Sequence, residues 1–270
     1  LPFILVISIS ISSEDAIKQF GYTILPKAID FEAYRQIFKN PTQLVDAYIV
    51  TIIFTAATTA LSVLLMSLMA YPLSRPNCKF RKVLTFYIFF TMLFNGGLVP
   101  SYIINAKYLH LNDNILIYIL PALVSAWYII IIRTFFQGLP EGLVESAKID
   151  GASELRIYFK IIMPLSTPVL ATIAFLVAIS KWNDWNTALI YIKNPKLYSL
   201  QYMLQKILRE AEFVEKIALE GLSSGFQDYE VPTESMRYAM AILAAGPMLF
   251  VFPFFQKYFT RGLTIGAIKG

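Results

Sequence analysis

Long apolar runs, separated by short polar segments, dominate the chain. Five of them have about the length that a helix needs to cross the roughly 30 Å hydrocarbon core of a bilayer: Ala47–Leu73, Val83–Ile104, Ile115–Phe136, Leu165–Trp185 and Met236–Tyr258. A further apolar run, Leu1–Ile11, would reach only about 17 Å as a helix, and we expect it to be the outer part of a first span. The pattern therefore predicts an all-α, polytopic membrane protein with six transmembrane helices, of which the first is truncated.

Composition supports lipid as the solvent for most of the chain. Hydrophobic residues make up 57% of the 270 residues and charged residues only 15%, whereas soluble domains carry about 25% charged residues. The net charge of +5 is dispersed among loops, which argues against a nucleic-acid partner. One histidine and one cysteine are too few for a metal site of the usual nitrogen and sulfur kind.

The loops between the apolar runs predict their orientation. The short loop Ser74–Lys82 contains Arg75, Lys79, Arg81 and Lys82, and short loops dense in lysine and arginine stay cytoplasmic. Counting spans from this loop places residues 139–168 and both termini in the cytoplasm, and residues 187–234 outside. We accordingly expect two parts: residues 1–45, with the end of the first helix and an external loop, and a transmembrane domain over residues 46–270.

The polar segment Leu139–Pro168 has the signals of two short helices joined at a corner. Pro140 suits the first position of a helix, and Glu141 follows where the helix dipole favours an acid. Gly151 lies where a helix would end in a left-handed residue, and Ser153 is placed to cap a second helix that runs towards Pro164. We therefore predict a helix, a glycine corner and a second helix.

The same segment carries an ordered motif: Glu145-Ser146-Ala147, Asp150-Gly151-Ala152, then Tyr158, Phe159, Pro164 and Pro168. This order resembles the EAA loop of ABC importer permeases, except that Ser146 replaces one small residue by another. We call residues 139–168 the EAA-like loop. The resemblance implies that the loop docks into a cleft on an ATP-hydrolysing partner, with a set of five residues as the coupling site: Glu145, Ser146, Ala147, Asp150 and Gly151.

Other segments resemble permeases that import oligosaccharides. They are the run FNGGLVPSYI from Phe94, the WNDW run from Trp182 and the C-terminal tail at residues 259–270. This resemblance implies the type I ABC importer permease fold in a bacterial cytoplasmic membrane. It also implies a heterodimeric pore with a homologous second permease, two ATPase subunits and an extracytoplasmic sugar-binding protein.

Two short segments are candidates for the substrate path. Asn95, Gly96 and Gly97 weaken the helix in the middle of an apolar run, either as a break that lines the path or as a packing notch. The second segment combines indole, amide and carboxylate groups, which carbohydrate sites use, but tryptophans are also common at membrane interfaces. Its residues are Trp182, Asn183, Asp184 and Trp185.

The last external loop and the last span carry weaker signals. Apolar residues from Leu200 to Ala211 recur at helical spacing and predict an amphipathic helix. The polar segment Gly221–Thr233 is, by its position alone, a candidate contact with the binding protein. We expect Pro247 and Pro253 to bend the last span.

The chain has no G-x-x-x-x-G-K-S/T phosphate loop and no visible catalytic set. We therefore expect a non-catalytic permease subunit that binds no cofactor of its own, with ATP and magnesium on the partner ATPases. The alternative is a secondary transporter or channel that works alone. Such proteins usually place acids or histidines deep in the membrane, and the apolar runs here are nearly free of them.

Overall fold

The computed structural model describes residues 2–219 and 233–267. In this part of the chain the secondary structure is helical, apart from one isolated bridge between Ser12 and Ile29. Fifteen α-helices are described: α1 Pro2–Ser10, α2 Glu14–Phe20, α3 Glu32–Ile37, α4 Pro41–Ser74, α5 Arg81–Leu93, α6 Leu98–Ile103, α7 Leu116–Ile119, α8 Ala126–Gln137, α9 Glu141–Ile149, α10 Glu154–Ile157, α11 Met163–Leu165, α12 Thr167–Trp182, α13 Asn186–Tyr191, α14 Leu200–Leu219 and α15 Thr233–Ala267. Short π-helical turns cover Ile104–Tyr108 and Tyr158–Ile162, and 3-10 turns cover Leu120–Ala122 and Pro195–Leu197.

Helices α4 and α15 are each long and apolar enough to cross a membrane by themselves. Three further spans pass the same test only as bent pairs: Arg81–Leu93 with Leu98–Tyr108, Leu116–Ala122 with Ala126–Gln137, and Glu154–Leu165 with Thr167–Trp182. Within the described residues there are thus up to five spans, one at each of the five long apolar runs. In the last bent pair only Thr167–Trp182 lies within the apolar run, and Glu154–Leu165 belongs to the polar segment 139–168. The first apolar run is helical over Pro2–Ser10, too short to cross a bilayer.

The bends show where the sequence pattern was informative. The break predicted at residues 95–97 is present, and it turns the chain by 109° between its two helices. The 50° bend between Leu116–Ala122 and Ala126–Gln137 was missed, because only Pro121 and Ser125 interrupt the apolar pattern there. Pro247 and Pro253 both lie inside the uninterrupted helix α15, so the bend we expected at them does not break the helix.

The chain forms two compact units. The first comprises Leu1–Ile52 and Trp182–Val251. Side chains from distant parts of the sequence cap its helices: the Glu14 carboxylate accepts the backbone N–H groups of Glu234 and Ser235 at the start of α15. Likewise, Thr51 Oγ1 accepts the Leu200 N–H at the start of α14, at 2.8 Å. Such caps satisfy backbone donors that a helix leaves unpaired in its first turn.

The second unit comprises Ile53–Lys181 and Phe252–Gly270. Its core is one continuous hydrophobic cluster to which α4, α8, α12 and the EAA-like loop all contribute. Met66 and Ala70 come from α4, Ile129 and Ile132 from α8, and Ile173 from α12. The EAA-like loop is thus packed against α4, α8 and α12 and is not a free connection between two spans.

The predicted amphipathic helix is confirmed as α14, which buries Leu200, Met203, Leu204 and Ala211 and continues to Leu219. A further short helix, α3, lies within residues 1–45, where the end of the first helix and an external loop were expected. The candidate binding-protein segment lies almost wholly outside the described residues. Of the C-terminal tail, the structure describes helical backbone as far as Ala267.

Candidate coupling and substrate sites

The EAA-like loop folds as the sequence predicts: a helix, a glycine corner and a second helix. Helix α9 begins at Glu141, directly after Pro140, and ends at Ile149. Gly151 has φ +76°, in the left-handed region that an L side chain rarely adopts. The N–H groups of Gly151 and Ala152 return to the carbonyls of Lys148 and Ala147, at 3.0 and 2.9 Å. This is the Schellman arrangement, in which a left-handed glycine satisfies the last carbonyls of a helix.

Helix α9 has one face against the protein and one face open. Val144 is its only buried residue, and Ala147 packs against the same core cluster. Glu145, Ser146 and Asp150 are exposed. Ile149, at the tip before the corner, is 86% exposed. Leu143 and Leu155 in the same loop are also exposed, at 43% and 64%. Exposed apolar side chains mark interaction sites only where they form a contiguous patch, so a partner contact at α9 stays a prediction.

The second helix of the EAA-like loop is tied to the first helix and to the end of α4. Ser153 caps α10, its hydroxyl accepting the Arg156 N–H as predicted. The Glu154 carboxylate accepts a charged hydrogen bond from the Lys148 ammonium and another from the Tyr71 hydroxyl, both at 2.6 Å. These two donors, Lys148 foremost, hold the pKa of Glu154 below its ordinary value of 4.5. The hydrogen-bonded ion pair between Lys148 and Glu154 therefore links the two helices across the corner.

Below the corner, the loop is embedded in the hydrophobic core. Tyr158 is fully buried, and its hydroxyl is 2.7 Å from Ser67 Oγ of α4. Ile157 and Ile162 are buried in the same cluster. At the end of α4, Arg133 Nε of α8 donates to the Leu73 carbonyl at 3.0 Å. Because close-packed interiors transmit strain, a force on α9 would reach α4, α8 and α12 together.

The five predicted coupling residues are thus placed together, at one exposed corner of the second unit. Glu145 and Ser146 lie on the open side of α9, Ala147 on the packed side, and Asp150 and Gly151 form the corner itself. Sequence reasoning missed Ile149, Tyr71 and Lys148. An isoleucine at the polar end of α9 was a usable signal for the first, whereas the partners of Glu154 needed the fold.

The predicted break at Asn95, Gly96 and Gly97 is an exposed, hydrogen-bonded turn. Asn95 Oδ1 accepts the Gly97 N–H at 2.8 Å, and the Ser101 hydroxyl donates to the Gly97 carbonyl at 2.8 Å. Gly97 has φ +83°, so a glycine is required there by conformation. A β-carbon added at Gly96 would meet Pro100 at 3.5 Å, an ordinary van der Waals contact. The segment redirects the chain, and its role in a substrate path stays a prediction.

The WND residues have mainly structural partners in the first unit. Trp182 is buried, with its indole N–H donating to the Ala244 carbonyl at 2.8 Å. The Asp184 carboxylate accepts from the backbone and hydroxyl of Thr187 and so caps α13. Asn183 Oδ1 accepts from the Gln201 amide at 3.1 Å. The structure therefore gives Trp182 and Asp184 packing and capping contacts, which the sugar-path interpretation did not anticipate.

Trp185 has a different environment from its neighbours. It lines a surface pocket of about 350 Å³ on α14, with Tyr202, Lys206, Arg209, Glu210 and Phe213. The Lys206 ammonium lies 3.8 Å from the Glu210 carboxylate. The Arg209 guanidinium lies 5.8 Å from the indole ring centre. The pocket combines aromatic faces with cationic and amide donors, a set that can stack on sugar rings and hydrogen-bond their hydroxyl or carboxylate groups. The sequence indicated Trp185, but the pairing with α14 required the structure.

Among residues 2–219 and 233–267, no group of three or more histidine, cysteine or acidic side chains is placed to hold a metal ion. The lone histidine, His110, is exposed in the loop before α7.

Comparison with known proteins identifies relatives over almost the whole chain. Residues 45–265 match the family described as binding-protein-dependent transport system inner membrane component. The polygalacturonan/rhamnogalacturonan transport system permease protein YtcP of Bacillus subtilis (strain 168) is 37% identical over 270 residues, which is 100% of this chain and 92% of the relative. Protein LplC of the same strain is 37% identical over 100% of this chain and 89% of its own.

A solved structure has the same fold. It is a chain of a bacterial ABC transporter involved in the import of the acidic polysaccharide alginate, 32% identical to the present chain. The TM-score is 0.79, and the match covers 96% of this chain and 90% of the other.

Proposed function

The chain belongs to the family of inner membrane components of binding-protein-dependent transport systems, and we propose that it moves an oligosaccharide across the membrane by alternating access, driven by partner ATPases. It is a transport subunit of an ABC importer. We further propose that it is non-catalytic. ATP and magnesium would be bound by two ATPase subunits, and a homologous second permease would complete the pore.

The observation that carries the coupling mechanism is the open face of α9. Glu145, Ser146 and Ile149 project from a helix whose opposite face, at Val144, is fixed in the core of three spans. We propose that nucleotide binding closes the ATPase dimer and moves α9, which carries α4, α8 and α12 with it. This proposal places the EAA-like loop and both termini in the cytoplasm.

An oligosaccharide substrate is supported by the relatives and by the Trp185 pocket. YtcP is named for polygalacturonan and rhamnogalacturonan, and the solved relative takes part in alginate import. The Trp185 pocket pairs stacking surfaces with Lys206 and Arg209. Glu210 lines the same pocket and its carboxylate lies 3.8 Å from the Lys206 ammonium, so the case for an acidic sugar rests on Arg209 and on the relatives. On that basis we propose uronate-containing oligosaccharides as the first substrates to test. The stand-alone transporter that the sequence left open is disfavoured by the family.

The test is uptake by proteoliposomes that contain the assembled importer and its binding protein. Oligogalacturonate uptake should require ATP. Trp185→Ala should raise the KM for the loaded binding protein several-fold, and the same amount of ATPase should co-purify with the variant as with the wild type. Trp127→Ala is the matched control, since Trp127 is 55% exposed on α8, and it should leave the KM unchanged. Uptake without ATP would refute the ABC mechanism. Uptake of neutral oligosaccharides alone would refute the acidic substrate class.

A further inference from the structure

A second cavity, of about 920 Å³, lies in the second unit between the start of α5 and the end of α8. Four cationic side chains line it: Lys79, Arg81 and Lys82 before and at the start of α5, and Arg133 on α8. The rest of its wall is largely apolar, with Val83, Phe86 and Phe89 following one another along α5 and Ile130 on α8. The cavity is thus cationic at the loop end of the helices and hydrocarbon-like further along them.

In the described part of the chain, the cations of this cavity have no carboxylate as an ion-pair partner. No acidic side chain is part of the cavity wall. By contrast, Lys148 pairs with Glu154 at 2.6 Å and Arg237 pairs with Glu212 at 2.9 Å. The cluster around Arg81 therefore holds an excess of positive charge.

The helix that starts in this cluster adds to the excess. Phe80 precedes α5 and supplies no side-chain cap, and the first turn of α5 contains no acid. A helix N-terminus carries a partial positive charge and favours anions, so Arg81 and Lys82 lie at the end where cations are unfavourable. An anionic group bound here would offset both the partial positive charge at the start of α5 and the repulsion among the four cations. In addition, Thr85 lines the cavity, and its shielded hydroxyl has no hydrogen-bond partner in the described part of the chain.

The apolar wall identifies what kind of anion fits. No residue of α5 is buried within this chain, and Phe86 and Phe89 are 68% and 45% exposed. A soluble acidic partner would match the cations but would leave the aromatic wall uncovered. A neighbouring apolar helix would cover the wall but would leave the cations unpaired. A ligand with an anionic head and an acyl chain satisfies both halves.

We propose that this cavity is a binding site for an anionic phospholipid, with the phosphate at Lys79, Arg81, Lys82 and Arg133 and an acyl chain along Phe86 and Phe89. Basic pockets between transmembrane helices on the cytoplasmic side are a known way for proteins to hold anionic lipid head groups. Here the lipid would fasten the 74–82 loop and the start of α5 to the leaflet, next to Leu73, whose carbonyl accepts from Arg133.

The experiment is a lipid titration of the detergent-purified importer, followed by native mass spectrometry. Dioleoylphosphatidylglycerol is the probe, and dioleoylphosphatidylcholine is the neutral comparison. We expect Lys79→Gln combined with Lys82→Gln to weaken phosphatidylglycerol binding about tenfold or more, since each cation near a head group contributes on the order of a kcal/mol. The matched control is Lys39→Gln combined with Lys196→Gln, two exposed cations outside the cavity, which should leave binding unchanged.

A second pair of variants tests the hydrocarbon half without altering charge. Phe86→Ala should weaken binding several-fold, whereas Phe254→Ala, an equally exposed phenylalanine on α15, should not. This pair also keeps the proposal testable if the double lysine variant fails to assemble.

Four results would overturn the proposal. They are equal affinity for the two lipids, equal loss in the control variants, displacement of the lipid by millimolar inorganic phosphate, and binding that appears only after the ATPases are removed. The last two would assign the cavity to a free anion and to an ATPase contact, respectively. None of these results bears on whether the importer transports oligosaccharides, so the two proposals can fail separately.

Discussion

The EAA-like loop and the WND segment both drew attention in the sequence, but the structure treats them differently. In the loop, Glu145, Ser146 and Ile149 are directed away from the chain's own core. In the WND segment, Trp182 is buried against Ala244 and Asp184 caps α13. A polar or aromatic motif is a candidate contact for a partner only where the fold leaves it uncovered. Trp185, which lines a surface pocket, meets that condition and Trp182 does not.

The anchoring of the EAA-like loop should be the most costly feature to remove. Tyr158→Ala would leave a cavity in a fully buried site and should destabilise the protein by about 3–5 kcal/mol. Tyr158→Phe would remove only the hydrogen bond to Ser67 and should cost about 1 kcal/mol. Thermal unfolding of the detergent-purified importer gives both values. If Tyr158→Ala lowered the free energy of unfolding by no more than Tyr158→Phe does, the EAA-like loop would not be part of the core.

The glycine corner should matter for coupling more than for stability. Gly151→Glu places a β-carbon at φ +76°, which costs about 1–2 kcal/mol, and should shift the corner enough to lower substrate-stimulated ATP turnover about tenfold. Gly142→Ala is the matched control in α9, because an added β-carbon there meets no atom within 4 Å and φ is ordinary. If the Gly151→Glu importer hydrolysed ATP at the wild-type substrate-stimulated rate, the glycine corner would have no role in coupling.

In the WND segment, a substitution at Trp182 should affect stability and leave transport unchanged, which is the reverse of the result expected at Gly151. Trp182→Phe loses the hydrogen bond to the Ala244 carbonyl and should lower the free energy of unfolding by about 1 kcal/mol, with uptake per folded importer unchanged. Unfolding and uptake are measured on the same preparation. A fall in uptake at unchanged stability would place Trp182 on the substrate path after all.

The smallest expected effect is the pH dependence of the stability that the ionised Glu154 carboxylate contributes. Its pKa is lowered by Lys148 and Tyr71, so the stabilisation is present above the ordinary value of 4.5 and is lost as pH falls through the lowered pKa. The side chain is 57% exposed, and solvent screening keeps the effect small. Glu154→Gln should melt slightly below wild type at pH 7, and the difference should shrink below pH 4.5. A difference that grows in acid would contradict the sign.

How far the sequence predicted the molecule depended on whether the signal was local. Gly151 and Ser153 were predicted correctly because a left-handed glycine and a serine cap are short-range requirements. Tyr71 and Ser67, the hydroxyl partners of Glu154 and Tyr158, come from α4, more than eighty residues away in sequence, and no periodicity indicates them. The bend after Ala122 was missed for a similar reason, since its neighbours read as one apolar run.

The central claim is that the open face of α9 meets an ATPase subunit, and cross-linking at its tip tests this most directly. In a Cys78→Ser background, Ile149→Cys is labelled with a short maleimide photo-cross-linker in membranes that contain the assembled importer, with Lys196→Cys as the exposed control. On irradiation, the photoreactive group bonds to any neighbouring protein, so the ATPase needs no cysteine. The account predicts a permease–ATPase adduct from position 149 and none from position 196. Absence of the adduct at position 149, with labelling there by a membrane-impermeant thiol reagent added outside intact cells, would contradict it.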